Sequence, residues 1–425
     1  MDRPLCIISM ERIEINQIFE LRDEYGTPFY LMFPARFRQN LRAFMQAFKK
    51  KYERMVLGYS FKTNYVPALC EIAKNEGCYA EVVSEMELGL ANRLGFNNII
   101  FNGPIKKEYV IEKAIMCNAI LNLDAEYEVD YICRYKKEHP DSVLSIGLRL
   151  NVHIQDDKGN STIQCGLRHG RFGFPHDMLS RIIKKLHSAG IQICSLHGHS
   201  SSTDRAVSNF KIIAKYMLSV REEFQLNDVR YFDIGGGFFG AAPDGMDIKG
   251  RPSYEDYSQA IIDIVCEDPW FNDVKPYIVI EPGASVVSNV FDYYTTVYQL
   301  KTIRTKRFAI VDGSVFDVKP TLHKNNLPFS VLSLSRDTDV KKEEVELFDV
   351  VGSTCMEKDI ILSDVNLDNL NHGDILQIRG VGAYTMSLTP TFINFLAPIF
   401  SVENKNFKLV RKRQVIEDVL NIYKL

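Results

Sequence analysis

The hydrophobic pattern of the chain changes at Thr27, where a helical lead-in gives way to short apolar runs that alternate with helical stretches. Eight runs rich in β-branched and aromatic residues are separated by ten or more residues of helical periodicity. Eight strand–helix units predict a parallel (β/α)8 barrel, although a doubly wound sheet shows the same alternation. The runs are Val56–Phe61, Tyr79–Val83, Asn98–Phe101, Ala119–Leu123, Val143–Leu150, Gln192–His199, Val229–Ile234 and Tyr277–Ile280.

The pattern changes again after Glu281–Gly283, where the segments become short, rich in β-formers and linked by turns, beginning with Val286–Val297. These features predict a second, mainly β domain. Helical spacing in Arg411–Tyr423 predicts a terminal helix, and Cys6–Met10 is a strand candidate in the lead-in. The predicted fold class is α/β, with a barrel over residues 27–283 and a β-rich domain formed by residues 1–26 and 284–425.

Length and composition fit a soluble enzyme of two domains. A chain of 425 residues with 46% hydrophobic residues, 25% charged residues and a net charge of -3 gives no reason to expect nucleic acid. The short apolar stretch after Pro4 is followed by Glu11 and Arg12, so we predict neither a signal peptide nor a membrane span, and we expect a cytoplasmic protein. Nine scattered cysteines without CxxC spacing predict reduced thiols.

Polar residues and glycines follow the apolar runs, where a barrel carries its catalytic groups. Lys62 ends the first run, in the stretch Tyr59–Asn64. A lysine at a strand end can be desolvated enough to form a Schiff base with an aldehyde, although a surface lysine is the commoner outcome. The other groups at or near the ends of the runs are Glu81, Ser84, Asn102, Gly103, Arg149, Asn151, His197, His199, Gly235, Gly236, Gly237 and Glu281.

The glycine-rich stretch Phe232–Gly240 follows a strand and can expose backbone N–H groups to a phosphate. Its glycines also satisfy G-x-G-x-x-G, but residues 241–245 are typical of a turn, whereas a dinucleotide fingerprint opens a helix. His197 and His199 lie on the same side of one strand. Since no third ligand follows at convincing spacing, we favour a ring that packs on a flat ligand over zinc.

Two further residues stand out. Glu281 follows a buried strand, where an unpaired carboxylate is costly, so we expect a cationic partner such as a protonated pyridine nitrogen, with a structural salt bridge as the alternative. Cys355 lies in the polar loop Gly352–Asp359, where a thiol can be reactive, although an incidental free cysteine is equally compatible with the pattern.

Taken together, these motifs resemble the fold-type III decarboxylases that use pyridoxal 5'-phosphate (PLP), the family of diaminopimelate and ornithine decarboxylases. The resemblance covers most of the chain and follows its order. The motifs that carry it are Tyr-x-x-Lys-x-Asn at Tyr59–Asn64, Arg-Phe-Gly at Arg171–Gly173, the histidine strand, the triple glycine, Glu-Pro-Gly at Glu281–Gly283, Asp312-Gly313, Lys319-Pro320, Cys-x-x-x-Asp at Cys355–Asp359 and Gly-Ala-Tyr at Gly382–Tyr384.

The resemblance implies an alanine-racemase-like barrel and an active site that the β-rich domain completes. Lys62 would hold PLP as an internal aldimine, Glu281 would keep the pyridine nitrogen protonated, and His199 would stack on the ring. Cys355 would come from the partner of a head-to-tail homodimer and return a proton to the substrate carbon. The cofactor pocket would further include Glu81, Arg171, Ser202, Gly235, Gly236, Gly237 and Tyr384, and the substrate would contact Asp312, Lys319, Met356 and Asp359.

Several positions depart from the family pattern and bear on specificity. Ala284 stands where many relatives have an arginine for the phosphate, and Met356 stands where relatives have an acid for the distal ammonium of the substrate. Lys319 replaces the arginine that grips a distal carboxylate, and a point charge cannot copy that bidentate contact. The sequence therefore predicts decarboxylation of an L-amino acid or an amino-acid-derived intermediate other than diaminopimelate or ornithine. The alternatives are a related-fold racemase and a non-catalytic regulator.

Overall fold

The computed structural model describes residues 13–334, 347–367 and 369–424. The predicted strand at Cys6–Met10 lies outside this part. The described strands are β1 (Phe29–Met32), β2 (Met55–Ser60), β3 (Tyr79–Val82), β4 (Ile99–Phe101), β5 (Ile120–Leu123), β6 (Ile146–Arg149), β7 (Ile193–His197), β8 (Tyr231–Asp233), β9 (Tyr277–Ile280), β10 (Phe291–Ile303), β11 (Lys306–Val311), β12 (Phe329–Leu332), β13 (Leu347–Val351), β14 (Ile360–Asn366), β15 (Ile375–Arg379), β16 (Ile399–Glu403) and β17 (Asn406–Arg411).

The helices include long amphipathic segments and short turns of four to six residues. Their bounds are α1 (Ile15–Tyr25), α2 (Pro34–Lys49), α3 (Pro67–Asn75), α4 (Glu85–Arg93), α5 (Glu108–Met116), α6 (Glu126–Glu138), α7 (His176–Ser188), α8 (Val207–Glu223), α9 (Tyr254–Cys266), α10 (Pro269–Val274), α11 (Ala284–Val287), α12 (Val315–Val318) and α13 (Ile416–Leu420). Among the described helices there is none whose length and hydrophobicity suffice to cross a bilayer.

Strands β2 to β9 close into a parallel barrel, which confirms the eight predicted runs and excludes the doubly wound sheet. Apolar residues fill one layer of its interior, where Val56, Ile100, Ile120 and Val279 form a buried cluster. Toward the carboxyl ends of the strands the buried residues become polar, including Ser60, Glu81, Asn122, Arg149, His197 and Asp233. The buried polar groups therefore lie at the carboxyl ends of the strands, which is the end of such a barrel that carries the catalytic groups.

Local sequence explains where the barrel helices begin and which face they bury. Ser84 caps α4 by accepting a hydrogen bond from the Glu87 N–H, and Ser253 forms a capping box with Asp256 at the start of α9. Helix α7 buries residues at helical spacing along one face, namely Leu179, Ile182, Ile183 and Leu186. Such stripes cover the outside of the parallel strands.

The β-rich unit contains a nine-stranded sheet with a main path β14-β13-β11-β10-β1-β16-β17, to which β15 and β12 add beside β10. Its core includes Phe29, Leu31, Tyr294, Ile375 and Phe400. Strand β1 pairs antiparallel with β10 and parallel with β16, although the barrel was expected to begin at residue 27. The compact units of the structure are residues 1–37, 242–247 and 287–425 for the β-rich unit and residues 38–241 and 248–286 for the barrel unit.

Two secondary-structure predictions beyond the barrel need correction. Residues 284–290 form helical turns, so the strand expected at Val286–Val297 begins only at Phe291 and runs to Ile303. The helix expected over Arg411–Tyr423 is confined to Ile416–Leu420, because Arg411 ends β17 and Val415 is an extended N-cap. The eight described cysteines are free, as predicted.

Candidate active site in the barrel

Lys62 is held by the turn that follows β2. A single turn of 3₁₀ helix at Phe61–Thr63 carries it beyond the strand. The Tyr59 hydroxyl donates to the Asn64 carbonyl over 2.7 Å, and Oδ1 of Asn64 accepts from the Val66 N–H over 3.1 Å. Tyr59 and Asn64 are completely buried, so the Tyr-x-x-Lys-x-Asn motif is the framework of this turn.

The Lys62 amine lies at a cavity within the barrel unit. Its Nζ is 2.8 Å from Oε2 of Glu81, and its side chain is 37% exposed, whereas the Glu81 side chain is 1% exposed. The same Oε2 accepts from the Ser60 hydroxyl over 2.5 Å. The cavity measures about 640 Å³, and the residues that line it include Lys62, Glu81, Asn102, Arg149, Ile163, Arg171, His197, His199, Ser200, Ser201 and Glu281. This volume is in the range of small-molecule sites.

Glu281 has a basic side chain beside it in the structure. Its Oε2 lies 3.5 Å from Nε2 of His197, and both side chains are buried. Burial opposes ionisation of Glu281, but His197 and Lys62 outweigh it and hold the Glu281 pKa below the usual value for a glutamate. Burial and the Glu281 charge raise the pKa of neighbouring Asp233 well above its usual value.

His199 presents a neutral ring. Its Nδ1 accepts a hydrogen bond from the Gly236 N–H over 2.9 Å, which puts the ring proton on Nε2, 3.3 Å from the Ser201 hydroxyl. Burial, Arg149 and Lys62 lower the His199 pKa well below its usual value. The rings of His197 and His199 are nearly parallel, with centroids 6.2 Å apart, as expected for alternate residues of one strand.

The glycine stretch is shaped by close backbone contacts. A Cβ at Gly236 would lie 2.4 Å from the Glu281 carbonyl oxygen, and Gly235 and Gly237 have φ angles of +75° and +99°. The Gly235 N–H donates to Asp233 and the Gly236 N–H to His199, so these two donors have protein partners in the structure. Space is open beside Gly237, where no atom beyond its chain neighbours lies within 4 Å of the Cβ position.

The Arg-Phe-Gly motif forms one wall of the cavity. The guanidinium groups of Arg149 and Arg171 lie 4.5 Å and 4.2 Å from the centre of the Phe172 ring. Gly173 has φ +78°, and a Cβ there would lie 2.7 Å from the Arg149 carbonyl oxygen. Arg171 lines the cavity, as do Ser200 and Ser201. Ser202 instead caps a turn by accepting a hydrogen bond from the Arg205 N–H.

Two groupings at the barrel mouth escaped the sequence reasoning. Asn102 donates to both Glu81 and Glu281, although its place after an apolar run was noted. His197, Asp233 and Glu281 bring possible metal-ligand atoms within 4.8 Å of one another, whereas the sequence showed only the two histidines. Asp233 accepts from Gly235 and Glu281 accepts from Asn102, so both carboxylates are already engaged with protein donors.

Three predicted residues of the β-rich unit, Cys355, Met356 and Asp359, lie in the loop between β13 and β14. Cys355 is exposed and Met356 half-buried. Asp359 is 2% exposed, and its carboxylate accepts from the N–H groups of Val315 and Thr354 and from the Thr354 hydroxyl, at 2.6 to 3.0 Å. Direct substrate contact by Asp359 therefore has no support from this geometry, which gives the residue a role in organising the Cys355 loop.

The other three predicted residues of this unit differ in their surroundings. Asp312 accepts from the hydroxyls of Thr27 and Thr295 and from the Thr296 N–H at 2.6 to 2.9 Å. Lys319 is 4% exposed, burial lowers its pKa, and its amine is 3.5 Å from the Asn325 carbonyl oxygen. Tyr384 is 39% exposed and has φ +55°. Of these three, only Tyr384 offers an exposed side chain.

The cavity fits PLP on its own geometry. It combines a partly exposed amine, an ionised buried carboxylate and a neutral flat ring, and the open turn at Gly237 follows β8 in the same barrel. These are the groups that an aldehyde, a pyridine nitrogen, an aromatic ring face and a phosphate require.

Comparison with known proteins agrees with this fit. Residues 38–288 match the family model described as pyridoxal-dependent decarboxylase, pyridoxal binding domain. The chain is 28% identical to a diaminopimelate decarboxylase of Helicobacter pylori strain J99, over 94% of this chain and 96% of the relative. It is 29% identical to the diaminopimelate decarboxylase of Archaeoglobus fulgidus, over 89% of this chain and 87% of the relative.

Solved structures show the same architecture. The structure of Helicobacter pylori diaminopimelate decarboxylase complexed with L-lysine superposes with a TM-score of 0.82, at 25% identity, over 95% of this chain and 98% of that one. The Methanocaldococcus jannaschii enzyme in complex with L-lysine has a TM-score of 0.84 at 23% identity, over 96% and 94% of the two chains, and supports the fold. The chain belongs to the pyridoxal-dependent decarboxylase family and is a fold-type III, PLP-dependent amino-acid decarboxylase.

Proposed function

We propose that Lys62 is the amine to which PLP is attached, and that the enzyme decarboxylates an L-amino acid or an amino-acid-derived intermediate. The observation that carries this proposal is the Lys62 amine at the cavity, 2.8 Å from the buried Glu81 carboxylate. When bound, PLP supplies an electron sink that accepts the electron pair released as carbon dioxide leaves. The residues of the chain bind and orient the reactants around that step.

Each cavity residue has a task that its surroundings support. Glu81 holds the Lys62 amine in place, and ionised Glu281 provides the negative charge that keeps a pyridine nitrogen protonated. Neutral His199 offers a ring face without a charge that would oppose such a cation. Arg171 lines the cofactor pocket, and we assign the phosphate to Gly235, Gly236, Gly237, Ser202 and Tyr384, with Gly237 offering the most open position.

We further propose that residues 27–283 bind the cofactor and that the β-rich domain, residues 1–26 and 284–425, completes the site in a homodimer. In this arrangement Cys355 from a second copy of the chain returns a proton to the substrate carbon. Its exposure and its rigid loop support that role, since Asp359 anchors the loop through Val315 and Thr354. Sizing with light scattering should give about twice the chain mass of 48.7 kDa, and a monomeric, active enzyme would refute shared sites.

We propose that the substrate, an L-amino acid or an amino-acid-derived intermediate, differs from those of the familiar enzymes. Two solved relatives are complexes with L-lysine, which is consistent with an amino-acid ligand. Met356 lacks the acid that would contact a distal ammonium, and Lys319 is buried with a pKa lowered by burial, so it is a poor substitute for an arginine. We propose that Asp312 and Lys319 lie on the substrate side of the site. A cytoplasmic location stays a prediction from the sequence.

A substrate panel tests this proposal directly. Purified enzyme should be offered diaminopimelate, ornithine, lysine and conjugated amino acids while carbon dioxide release is measured. We expect release from at least one conjugated or unusual amino acid at a higher kcat/KM than from diaminopimelate or ornithine. Efficient turnover of diaminopimelate would overturn the specificity proposal, and α-proton exchange with retention of the carboxylate would instead indicate racemisation.

A further inference from the structure

Asn102 lies between the two carboxylates of the active site. It follows β4 directly, is 3% exposed, and its backbone N–H continues the barrel hydrogen bonding by donating to the Val82 carbonyl over 2.8 Å. Its Nδ2 is 3.0 Å from Oε1 of Glu81 and 2.6 Å from Oε1 of Glu281. A side-chain amide carries two N–H donors, so one residue satisfies both carboxylates.

In both Glu81 and Glu281, one carboxylate oxygen accepts a hydrogen bond from Asn102 and the other faces a basic side chain. Oε1 of Glu81 and Oε1 of Glu281 both accept from Asn102. The other oxygens remain for basic groups, because Oε2 of Glu81 is 2.8 Å from the Lys62 amine and Oε2 of Glu281 is 3.5 Å from His197. Asn102 thus sets the direction in which each remaining oxygen points.

A second asparagine fixes the orientation of the first. Nδ2 of Asn122, on β5, donates to Oδ1 of Asn102 over 2.9 Å, so the Asn102 amide cannot rotate its oxygen toward the carboxylates without losing this bond. Asn122 is 1% exposed, and its partner on the neighbouring strand is Gly147. The Asn122 side chain has room there only because Gly147 lacks a Cβ, which would lie 2.0 Å from Oδ1 of Asn122. The small residue on β6 therefore makes room for the pair.

An amide is the chemical group that this position requires. Two buried carboxylates repel one another, and burial favours their protonated forms. Hydrogen bonds from an uncharged double donor favour the ionised form of both without adding a cation that would compete with a pyridine nitrogen. An aspartate would match asparagine in size, but it would bring a third acid and would remove the donors.

We propose that Asn102, fixed by Asn122, is a positioning residue that donates a hydrogen bond to each of the buried carboxylates of Glu81 and Glu281 and directs their Oε2 atoms toward Lys62 and His197. The inference rests on the proposed roles of Lys62 and Glu281. Neither asparagine contacts the reacting atoms in this scheme. Their effect passes through the two carboxylates.

The test compares Asn102→Asp with a matched control, Asn209→Asp. Asn209 is also buried, donates to the Asp204 carboxylate over 2.8 Å and accepts from the Thr162 hydroxyl, but it lies outside the site. We expect Asn102→Asp to move the acid limb of the kcat/KM pH profile upward by about one to two pH units and to lower kcat by about 10- to 100-fold. Asn209→Asp should leave the profile in place.

Infrared difference spectra of the holoenzyme with 13C-labelled glutamate give a readout that does not depend on turnover. The label separates glutamate from the introduced aspartate. We expect Asn102→Asp to gain a protonated-glutamate band at neutral pH, and we expect Glu281→Gln or Glu81→Gln in the same background to remove it. Unchanged spectra and an unchanged pH profile, or equal changes in Asn209→Asp, would overturn the positioning role.

Asn122→Ala covers the case in which Asn102→Asp does not fold. This variant keeps Asn102 but removes the hydrogen bond that fixes the Asn102 amide. The acid limb of the kcat/KM pH profile should therefore move upward by a smaller amount than in Asn102→Asp, and an unchanged profile would contradict the proposal. Failure of the underlying assignment looks different. If Lys62→Ala kept the cofactor attached and active, the proposed function would fall, whatever the asparagine variants show.

Discussion

The Lys62 amine and Oε2 of Glu81 lie 2.8 Å apart; Lys62 is in the turn that follows β2, and Glu81 is on the neighbouring strand β3. The pair joins a partly exposed cation to a carboxylate that is almost completely buried. Because a buried carboxylate is costly to leave unpaired, this contact explains why Glu81 tolerates its position. It also limits where the lysine amine can go, which is what a group that must meet an aldehyde at a defined place requires.

Lys62→Ala tests the attachment of the cofactor. We expect the near-visible absorbance of the holoenzyme to disappear and kcat/KM to fall by on the order of 10³-fold or more, because the variant lacks the amine that binds PLP covalently. The matched control is Lys113→Ala, which removes an exposed lysine paired with Glu85. Spectra and carbon dioxide release should be normal in the control. A coloured and active Lys62→Ala enzyme would refute the assignment.

Cys355→Ala tests the proton donor. The thiol is exposed in its loop, so we expect normal folding and cofactor binding but a kcat reduced by about 10²- to 10⁴-fold, the usual contribution of a positioned acid. Product analysis in heavy water should show altered protonation of the substrate carbon. Cys117→Ala is the control, since Cys117 lies on the outer part of the barrel unit beyond α5. Equal kcat values for both variants would exclude Cys355 as the donor.

Asp359→Asn tests whether this buried acid organises the Cys355 loop. The substitution removes a charge that accepts from Val315, Thr354 and Ser314. We expect the free energy of unfolding of the β-rich unit to fall by about 1.5–3 kcal/mol, measured by urea denaturation. kcat should fall more than substrate affinity, because the donor loop loses its anchor. A rise in KM with unchanged stability and kcat would restore the substrate-contact role.

Glu87→Gln tests a buried acid outside the cavity. Burial raises the pKa of Glu87 to about 7, above its value of 4.5 in the unfolded chain. The folded state therefore binds more protons than the unfolded state between pH 4.5 and 7, so this group makes the protein less stable as pH rises through that window. The glutamine variant should gain stability relative to wild type over the same window, reaching about 3 kcal/mol, with no further gain above pH 8. Unfolding midpoints at pH 5, 6, 7 and 8 measure the difference, and a constant difference across these values would contradict the prediction.

Ala284→Arg tests the departure from the family pattern after Glu-Pro-Gly. Ala284 begins the short helix α11, and an arginine there would offer a charge-assisted bond to a phosphate. We expect the Kd of the apoenzyme for PLP to fall by about tenfold, which corresponds to about 1.4 kcal/mol. Ala284→Gln adds a shorter, uncharged donor, and it should change the Kd much less. Equal effects of the two variants would argue against a phosphate contact.

The sequence by itself determined the eight strand–helix units and most of the polar residues that follow the strands, whereas it left a doubly wound sheet open as an alternative to the barrel. Strand and helix periods are local properties of the sequence, so runs such as Val56–Phe61 and Tyr277–Ile280 could be placed with errors of only a residue or two at their ends. Eight strand–helix units in series are compatible with only a few folds. The motifs around Lys62, Gly236 and Glu281 were equally readable, because tight turns need particular residues at adjacent positions.

Tertiary structure alone decided the contacts between these motifs. Asn102 and Glu281 are separated by 179 positions and meet only because the barrel closes, and no local pattern reports that distance. The same holds for β1, whose partners β10 and β16 lie far along the chain, and for Asp359, whose burial depends on Val315. A side chain's residue type sets which bonds it can make, whereas the closed fold sets which partners are within reach.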